Sequence, residues 1–338
     1  MAAIALTPIT IHAAIDSAAA ASSSASCLIH DHTKNGSSTS PIRNDTRSSL
    51  ARLWRRSRPV GGRVPLTPRE VANVEFCSYE KKDRVAYITI TRPEVMNSLH
   101  VYANLELHEV WEDFANDDDL WVAVFTGEGG RAFSAGNDLK FTAEMSRLPA
   151  SERPAVRWPG TGFGGLTSRF NLYKPIIARV NGYALGGGFE MALACDIVVA
   201  AEHARFGLTE PKVGLIAGAN GVHRLPRQGP LKAVMGHMLT GRHMTAQRAY
   251  ELGLVNEVVP LEELDEAVDR WVTDILSCAP LSVRSTKETA MRGLEMALPD
   301  ASQTVFTWES RRRQSPDSVE GPRAFAEKRD PDWKGTWT

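Results

Sequence analysis

Two glycine-bearing segments and two glutamates hold most of the chemistry that this 338-residue sequence can support. The first segment is Arg131-Ala132-Phe133-Ser134-Ala135-Gly136-Asn137-Asp138-Leu139-Lys140; the second is Asn181-Gly182-Tyr183-Ala184-Leu185-Gly186-Gly187-Gly188-Phe189-Glu190. Each follows a short apolar run, so each reads as a turn that delivers a strand into a helix. At the start of a helix the backbone N–H groups have no partner within the helix, and the dipole favours negative charge. Two such turns side by side can hold one oxygen between two N–H donors, which is the arrangement of an oxyanion hole. The triplet Gly186-Gly187-Gly188 also fits close helix–strand packing or a phosphate cradle. The GxGxxG spacing of dinucleotide sites is absent, because Ala184-Leu185 precedes an unbroken triplet.

The glutamates favour the oxyanion reading. Glu190 follows the triplet by two residues, which places it in the first turn of the expected helix, near the N–H groups of Gly187 and Gly188. Glu210 stands twenty residues further on, in Phe206-Gly207-Leu208-Thr209-Glu210-Pro211, and one strand and a turn between them would return it to the same end of the sheet. Taken singly, a glutamate at a helix start complements the dipole, and one before a proline is an ordinary loop residue. As a pair beside an oxyanion hole, two carboxylates can share a water and move protons to and from a carbon next to a carbonyl.

The elements that must position these groups are those of an α/β fold. Residues 84–91 alternate and end at Arg92-Pro93, as a strand does. Residues 103–114 place Leu105, Val110 and Trp111 at helical intervals, and Asn116-Asp117-Asp118-Asp119 ends the pattern. Residues 121–125 are a continuous apolar run, as in a buried parallel strand. Further strands are expected at 175–180, 196–201 and 255–259, with a helix at 187–195, which implies a parallel sheet with right-handed crossovers. Beyond about residue 230 the pattern is helical: 261–278 carries Leu264, Val268, Trp271 and Ile275 on one face, and a second helix runs over 282–295. Residues 147–168, with glycines at 160, 162, 164 and 165, read as a long irregular loop of the kind that forms lids or binding walls, with Trp158 and Phe163 shaping a pocket.

Composition removes several classes. The formal charge of −1 conceals a split, with nine Lys/Arg against four Asp/Glu in residues 1–70 and 30 against 36 in residues 71–338. The first fifty residues hold ten Ala, ten Ser and no Phe, Trp or Tyr, too little apolar surface to offset chain entropy, so residues 1–70 read as a disordered extension. Its Arg-rich end shares features with organellar transit peptides and equally with a linker or an overextended reading frame. No apolar run is long enough to span a membrane. Cys27, Cys77, Cys195 and Cys278 lack CxxC spacing and the nine histidines do not cluster, so no disulfide framework or metal site is signalled and a reducing, cytoplasmic compartment is the default, with a mitochondrial one as the alternative. An acidic core argues against nucleic acid as the main partner.

The two turns, followed by residues 206–214, resemble the crotonase (enoyl-CoA hydratase/isomerase) superfamily, and the resemblance runs from about Phe76 to Arg329. Within it, Phe163-Gly164-Gly165-Leu166-Thr167, Phe170-Asn171-Leu172 and the segment from Glu320-Gly321-Pro322 to Trp333-Lys334-Gly335 look most like the carnitinyl-CoA dehydratase branch. The resemblance implies a ββα spiral core over 71–260 and a helical C-terminal region over 261–338 that trimerises, as a homotrimer or a dimer of trimers. It implies oxyanion-hole N–H groups on Asn137 and Gly187, acid/base roles for Glu190 and Glu210, and a CoA-binding stretch at Asp138, Leu139 and Lys140. The expected activity is addition of water to an α,β-unsaturated acyl-CoA, or its reverse, with the CoA thioester as substrate and no further cofactor or metal. An isomerase or hydrolase on the same fold is the nearest rival, and a non-catalytic binding protein is a rival of another class. Two positions depart from the family pattern. Asn137 replaces a small or apolar residue, and Leu215-Ile216-Ala217-Gly218-Ala219-Asn220-Gly221 replaces a segment that commonly holds a Pro and a Gly-Gly pair.

Overall fold

The computed structural model describes residues 74–153 and 159–337. The whole of the extension read from composition, residues 1–70, and Trp158 lie outside them. Among the described residues, ten strands form two sheets. The larger has the order β1 (Cys77–Lys82), β2 (Val85–Ile90), β3 (Val122–Gly127), β5 (Ile176–Val180), β7 (Ile197–Ala201) and β10 (Glu257–Val259), parallel throughout except for the antiparallel β1–β2 edge pair. The smaller has the order β4 (Ala132–Ser134), β6 (Tyr183–Leu185), β8 (Arg205–Gly207) and β9 (Met244–Thr245).

The single parallel sheet expected from sequence is therefore corrected to two. After each long strand the chain turns and adds a three-residue strand to the smaller sheet before reaching the next element: β3 then β4, β5 then β6, β7 then β8. This is the repeated ββα spiral. Buried side-chain amides hold the corners. Asn97 donates to Ala132 O at 2.7 Å and to Glu128 O at 3.1 Å, and Asn181 donates to Gly127 O at 2.7 Å. These bonds satisfy carbonyls that the change of sheet leaves without a strand partner.

The larger sheet is covered on both faces, so its central strands are apolar throughout. Along β3, Ala123 and Phe125 join the main core with Trp111 and Phe133, whereas Val122 and Val124 face a second cluster with Leu264, Val268 and Val272. The first cluster receives α1 (Val101–Asn116), whose buried face is Ala103, Leu107, Val110, Trp111 and Phe114. Leu107, not Leu105, shares that face. The helix expected at 261–278 is a 3-10 turn, Leu261–Glu263, followed by a helix over Leu264–Leu276 that covers the second cluster.

Four shorter helices continue the series: α2 (Leu139–Ser146), α3 (Gly187–Ala192), α4 (Gly221–Gln228) and α5 (Leu231–Thr240). The helix after the glycine triplet thus ends at Ala192 instead of 195. Next come α6 (Ala246–Glu251), α7 (Leu264–Leu276), α8 (Pro280–Gly293), α9 (Leu298–Gln303), α10 (Thr307–Gln314) and α11 (Asp317–Glu327). The last helices leave Leu294, Leu298, Val319 and Phe325 largely exposed. No described helix is long and apolar enough to cross a membrane.

Candidate active site

The first glycine turn is shaped by Ser134, a fully buried residue whose hydroxyl donates to Asn97 O at 2.8 Å and accepts from Gly136 N at 3.1 Å. The backbone then runs beside Leu99 as a short parallel bridge: Leu99 N donates to Gly136 O at 2.8 Å, and Asp138 N donates to Leu99 O at 3.0 Å. A parallel bridge uses the groups on either side of the bridging residue, so the Asn137 N–H between them is turned away from Leu99. Among the described residues nothing accepts it. The Asn137 side chain donates to Thr142 Oγ1 at 3.2 Å, along α2.

The second turn places Gly187 at the first position of α3, where its N–H also finds no acceptor among the described residues. The two turns abut. A Cβ on Gly136, which has φ +84°, would lie 2.7 Å from Gly187 N and 2.7 Å from Leu185 O, so only glycine permits this approach. Two unused N–H donors, on Asn137 and Gly187, thus come from abutting turns.

Glu190 is 2% exposed. Its carboxylate does not return to the N–H groups of its own helix, as expected from its position; Oε1 accepts from Gly221 N, at the start of α4, at 2.8 Å. Burial pushes its pKa up to about 7, with the nearby charge of Glu210 adding to the rise and the N–H groups of Gly221 and Ala219 opposing it. Glu210 begins a 3-10 turn, Glu210–Val213, and two strands separate it from Glu190 instead of the expected one. Burial raises its pKa as well, and its Oε2 has no hydrogen-bond partner among the described residues. Its Oε1 lies 2.9 Å from the position of a Cβ on Gly186, whose φ is +53°, so the triplet admits this carboxyl as well as turning the chain. Burial thus makes both carboxyls resist ionisation, and Glu210, whose Oε2 has no partner among the described residues, lies against the glycine triplet.

The three residues expected at CoA are divided. Asp138 is 7% exposed: Oδ1 caps α2 by accepting from Phe141 N at 3.1 Å, and Oδ2 pairs with Arg92 at 3.1 Å. Its carboxylate is used by the protein itself. Leu139 and Lys140 are exposed on the first turn of α2.

Sequence reasoning missed the groups that hold the loop beside the triplet. Its second half is not irregular: a 3-10 turn, Phe163–Gly165, is fixed to α1 by Gly164 N donating to Asn104 Oδ1 at 2.6 Å and by Trp111 Nε1 donating to Gly164 O at 3.0 Å. The Phe163 ring lies against Gly187, where a Cβ would be 2.5 Å from Cε1. No local signal links Asn104 or Trp111 to Gly164, sixty and fifty-three residues away. Asn220-Gly221 was visible as a departure, but not as the holder of Glu190. Among the described residues no three His, Cys, Asp or Glu side chains group to hold a metal.

The family described as "Enoyl-CoA hydratase/isomerase" matches residues 80–336. Carnitinyl-CoA dehydratase of Escherichia coli (strain K12) is 42% identical over 252 residues, covering 73% of this chain and 94% of that protein. Carnitinyl-CoA dehydratase of Salmonella arizonae is 41% identical over 252 residues, with the same coverage of 73% and 94%. Among solved structures, enoyl-CoA hydratase from Mycobacterium tuberculosis H37Rv is similar with a TM-score of 0.69 at 35% identity, covering 77% of this chain and 99% of that one. Carnitinyl-CoA hydratase from Mycobacterium avium gives a TM-score of 0.60 at 40% identity, covering 78% and 99%.

Proposed function

The chain belongs to the enoyl-CoA hydratase/isomerase family, and on that footing we propose that it is a hydro-lyase that adds water to, or removes it from, an acyl-CoA thioester. The observation that carries this reading is the pair of ionisation-resistant carboxyls, Glu190 and Glu210, beside two abutting turns with free N–H groups. The thioester oxygen sits between the N–H groups of Asn137 and Gly187. Charge accumulates there as the transition state takes on enolate character, and each preorganised donor is worth about 3 kcal/mol.

In hydration, Glu190 takes a proton from water as its oxygen attacks the β-carbon, and Glu210 gives its proton to the α-carbon. A base with a pKa of about 7 is half ionised at neutral pH and still strong enough to accept a proton. The N–H of Gly221 aims the Glu190 carboxylate and stabilises its charged form. Glu210, with a buried and unpartnered oxygen, is suited to hold the other proton. In dehydration the roles reverse.

CoA serves as the handle, with Leu139 and Lys140 on the exposed start of α2 and Lys140 facing a phosphate; Asp138 acts by fixing that turn. Retention of two carboxyls favours hydration over isomerisation, which can work with one. Similarity to carnitinyl-CoA dehydratases supports a carnitinyl-like acyl group beside short enoyl groups. The exposed Leu294, Leu298, Val319 and Phe325 support self-association through the C-terminal helices, as a homotrimer or a dimer of trimers.

The test is loss of the enoyl-thioester absorbance of crotonyl-CoA or a carnitinyl-type enoyl-CoA with the full chain. The wild type should consume substrate, and Glu210→Gln should be slower by a factor on the order of a hundred or more with CoA binding retained. Tight CoA binding without absorbance loss by the wild type would sink the hydratase reading.

A further inference from the structure

Asn220 is a non-glycine residue with φ +77°, immediately before Gly221. Its side chain does not cap its own helix. Instead Nδ2 donates to Thr167 O at 3.1 Å and to Ser168 Oγ at 2.9 Å, in the glycine-rich loop. Thr167 is fully buried, and its hydroxyl accepts from Phe163 N at 2.9 Å. The Phe163 ring packs against Gly187. A continuous set of bonds therefore runs from Asn220 through Thr167 to the aromatic wall beside the thioester seat. On its other side Asn220 is joined to Gly221, whose N–H holds Glu190.

We infer that Asn220 is a positioning residue for acyl selection, its amide latching the Phe163–Thr167 wall to the start of α4 so that the wall and Glu190 keep a fixed separation across the acyl group. This rests on the hydratase reading of the same site. Arg224 shares the acceptor, donating to Thr167 O at 3.1 Å from one turn along α4. Arg224 has no bond to Ser168 and does not adjoin Gly221, so it supports the wall without fixing its register against Glu190. An asparagine in this backbone region is tolerated because its short amide bonds locally; here the amide is directed to the glycine-rich loop.

Asn220→Gly removes the latch and keeps a residue suited to φ +77°, so the chain should fold and retain the Gly221–Glu190 bond. Asn220→Asp keeps the size and loses the donor to Thr167 O. For each variant, kcat/KM is measured on crotonyl-CoA and on a bulkier branched enoyl-CoA, with amide hydrogen exchange of residues 162–168 followed without substrate.

Both variants should reduce the discrimination between the two acyl groups by about fivefold, the worth of one hydrogen bond, and should speed exchange at Phe163 and Thr167. Discrimination unchanged within about twofold, or an equal fall on both substrates, would overturn the inference. If the wild type turned over neither substrate, the hydratase reading would fall, and the latch would be judged by the ratio of dissociation constants for the same two acyl-CoAs. A ratio equal in wild type and variants would overturn it, and a reduced ratio with faster exchange would uphold it.

Discussion

Replacing Glu190 by glutamine should make the protein more stable and nearly inactive, with a stability gain that depends on pH. In the fold the carboxyl has its pKa raised from 4.5 to about 7, first by burial. Below about pH 4.5 both the folded and the unfolded forms hold the proton, and the group favours neither state. As pH rises from there, the unfolded chain releases its proton while the folded one keeps it, so stability falls until the pH passes about 7. The full loss is about 3 kcal/mol, from 1.36 kcal/mol for each unit between the two values. Part of it belongs to the pair, because the charge of Glu210 contributes. Glutamine carries no charge, and its carbonyl oxygen can still accept from Gly221 N.

Urea unfolding of Glu190→Gln should match the wild type near about pH 4.5 and exceed it by up to about 3 kcal/mol near about pH 8. Turnover of an enoyl-CoA should fall by a factor on the order of a hundred to ten thousand. A stability difference that does not change with pH would show that Glu190 is not desolvated in the fold. Turnover close to wild type would remove it from proton transfer. Either result refutes the reasoning at its root, because burial and catalysis are here two consequences of one position.

Two further substitutions separate the remaining parts of the site. Gly186→Ala places a Cβ at φ +53°, 2.9 Å from Glu210 Oε1; kcat should fall at least about tenfold with KM little changed, since a displaced acid affects the transition state more than binding. Wild-type kcat would show that Glu210 needs no such seat. Lys140→Ala should raise KM about three- to fivefold with kcat unchanged, an effect that shrinks as salt is added, because the residue is exposed and an exposed ion pair is worth little. A fall in kcat with KM constant would move Lys140 from the CoA handle to the chemistry.

Much of the site was legible because its residues are close in sequence to the backbone features that they use. A glycine triplet that opens a helix points to a turn with free N–H groups, and the spacing of Glu190 and Glu210 brings both to one end of the sheet once a parallel return is assumed; Gly187 as the particular donor came from the family resemblance. The short strands β4, β6 and β8 were not legible. Three residues carry no periodicity, and in each case they lie inside a stretch that reads as a turn. The edge strand β1 escaped for another reason: Cys77–Lys82 is mostly exposed and ends in Glu80-Lys81-Lys82, a polar pattern that protects a sheet edge and hides the strand.

Sequence by itself determined the family and the chemical class of the groups, because turn glycines and carboxylates act through local geometry that their types dictate. Tertiary structure decided which way each group points and what it costs to ionise. Glu190 faces the start of α4 and not its own helix, because the core packs α3 with that carboxyl inward and leaves Gly221 N–H as its partner. Asp138 is committed to Arg92 and a helix cap, and the glycine-rich loop is a fixed wall held by Asn104, Trp111 and Asn220. Burial and contacts across fifty or more residues have no local signature, since they are set by how two sheets and their helices close on one another.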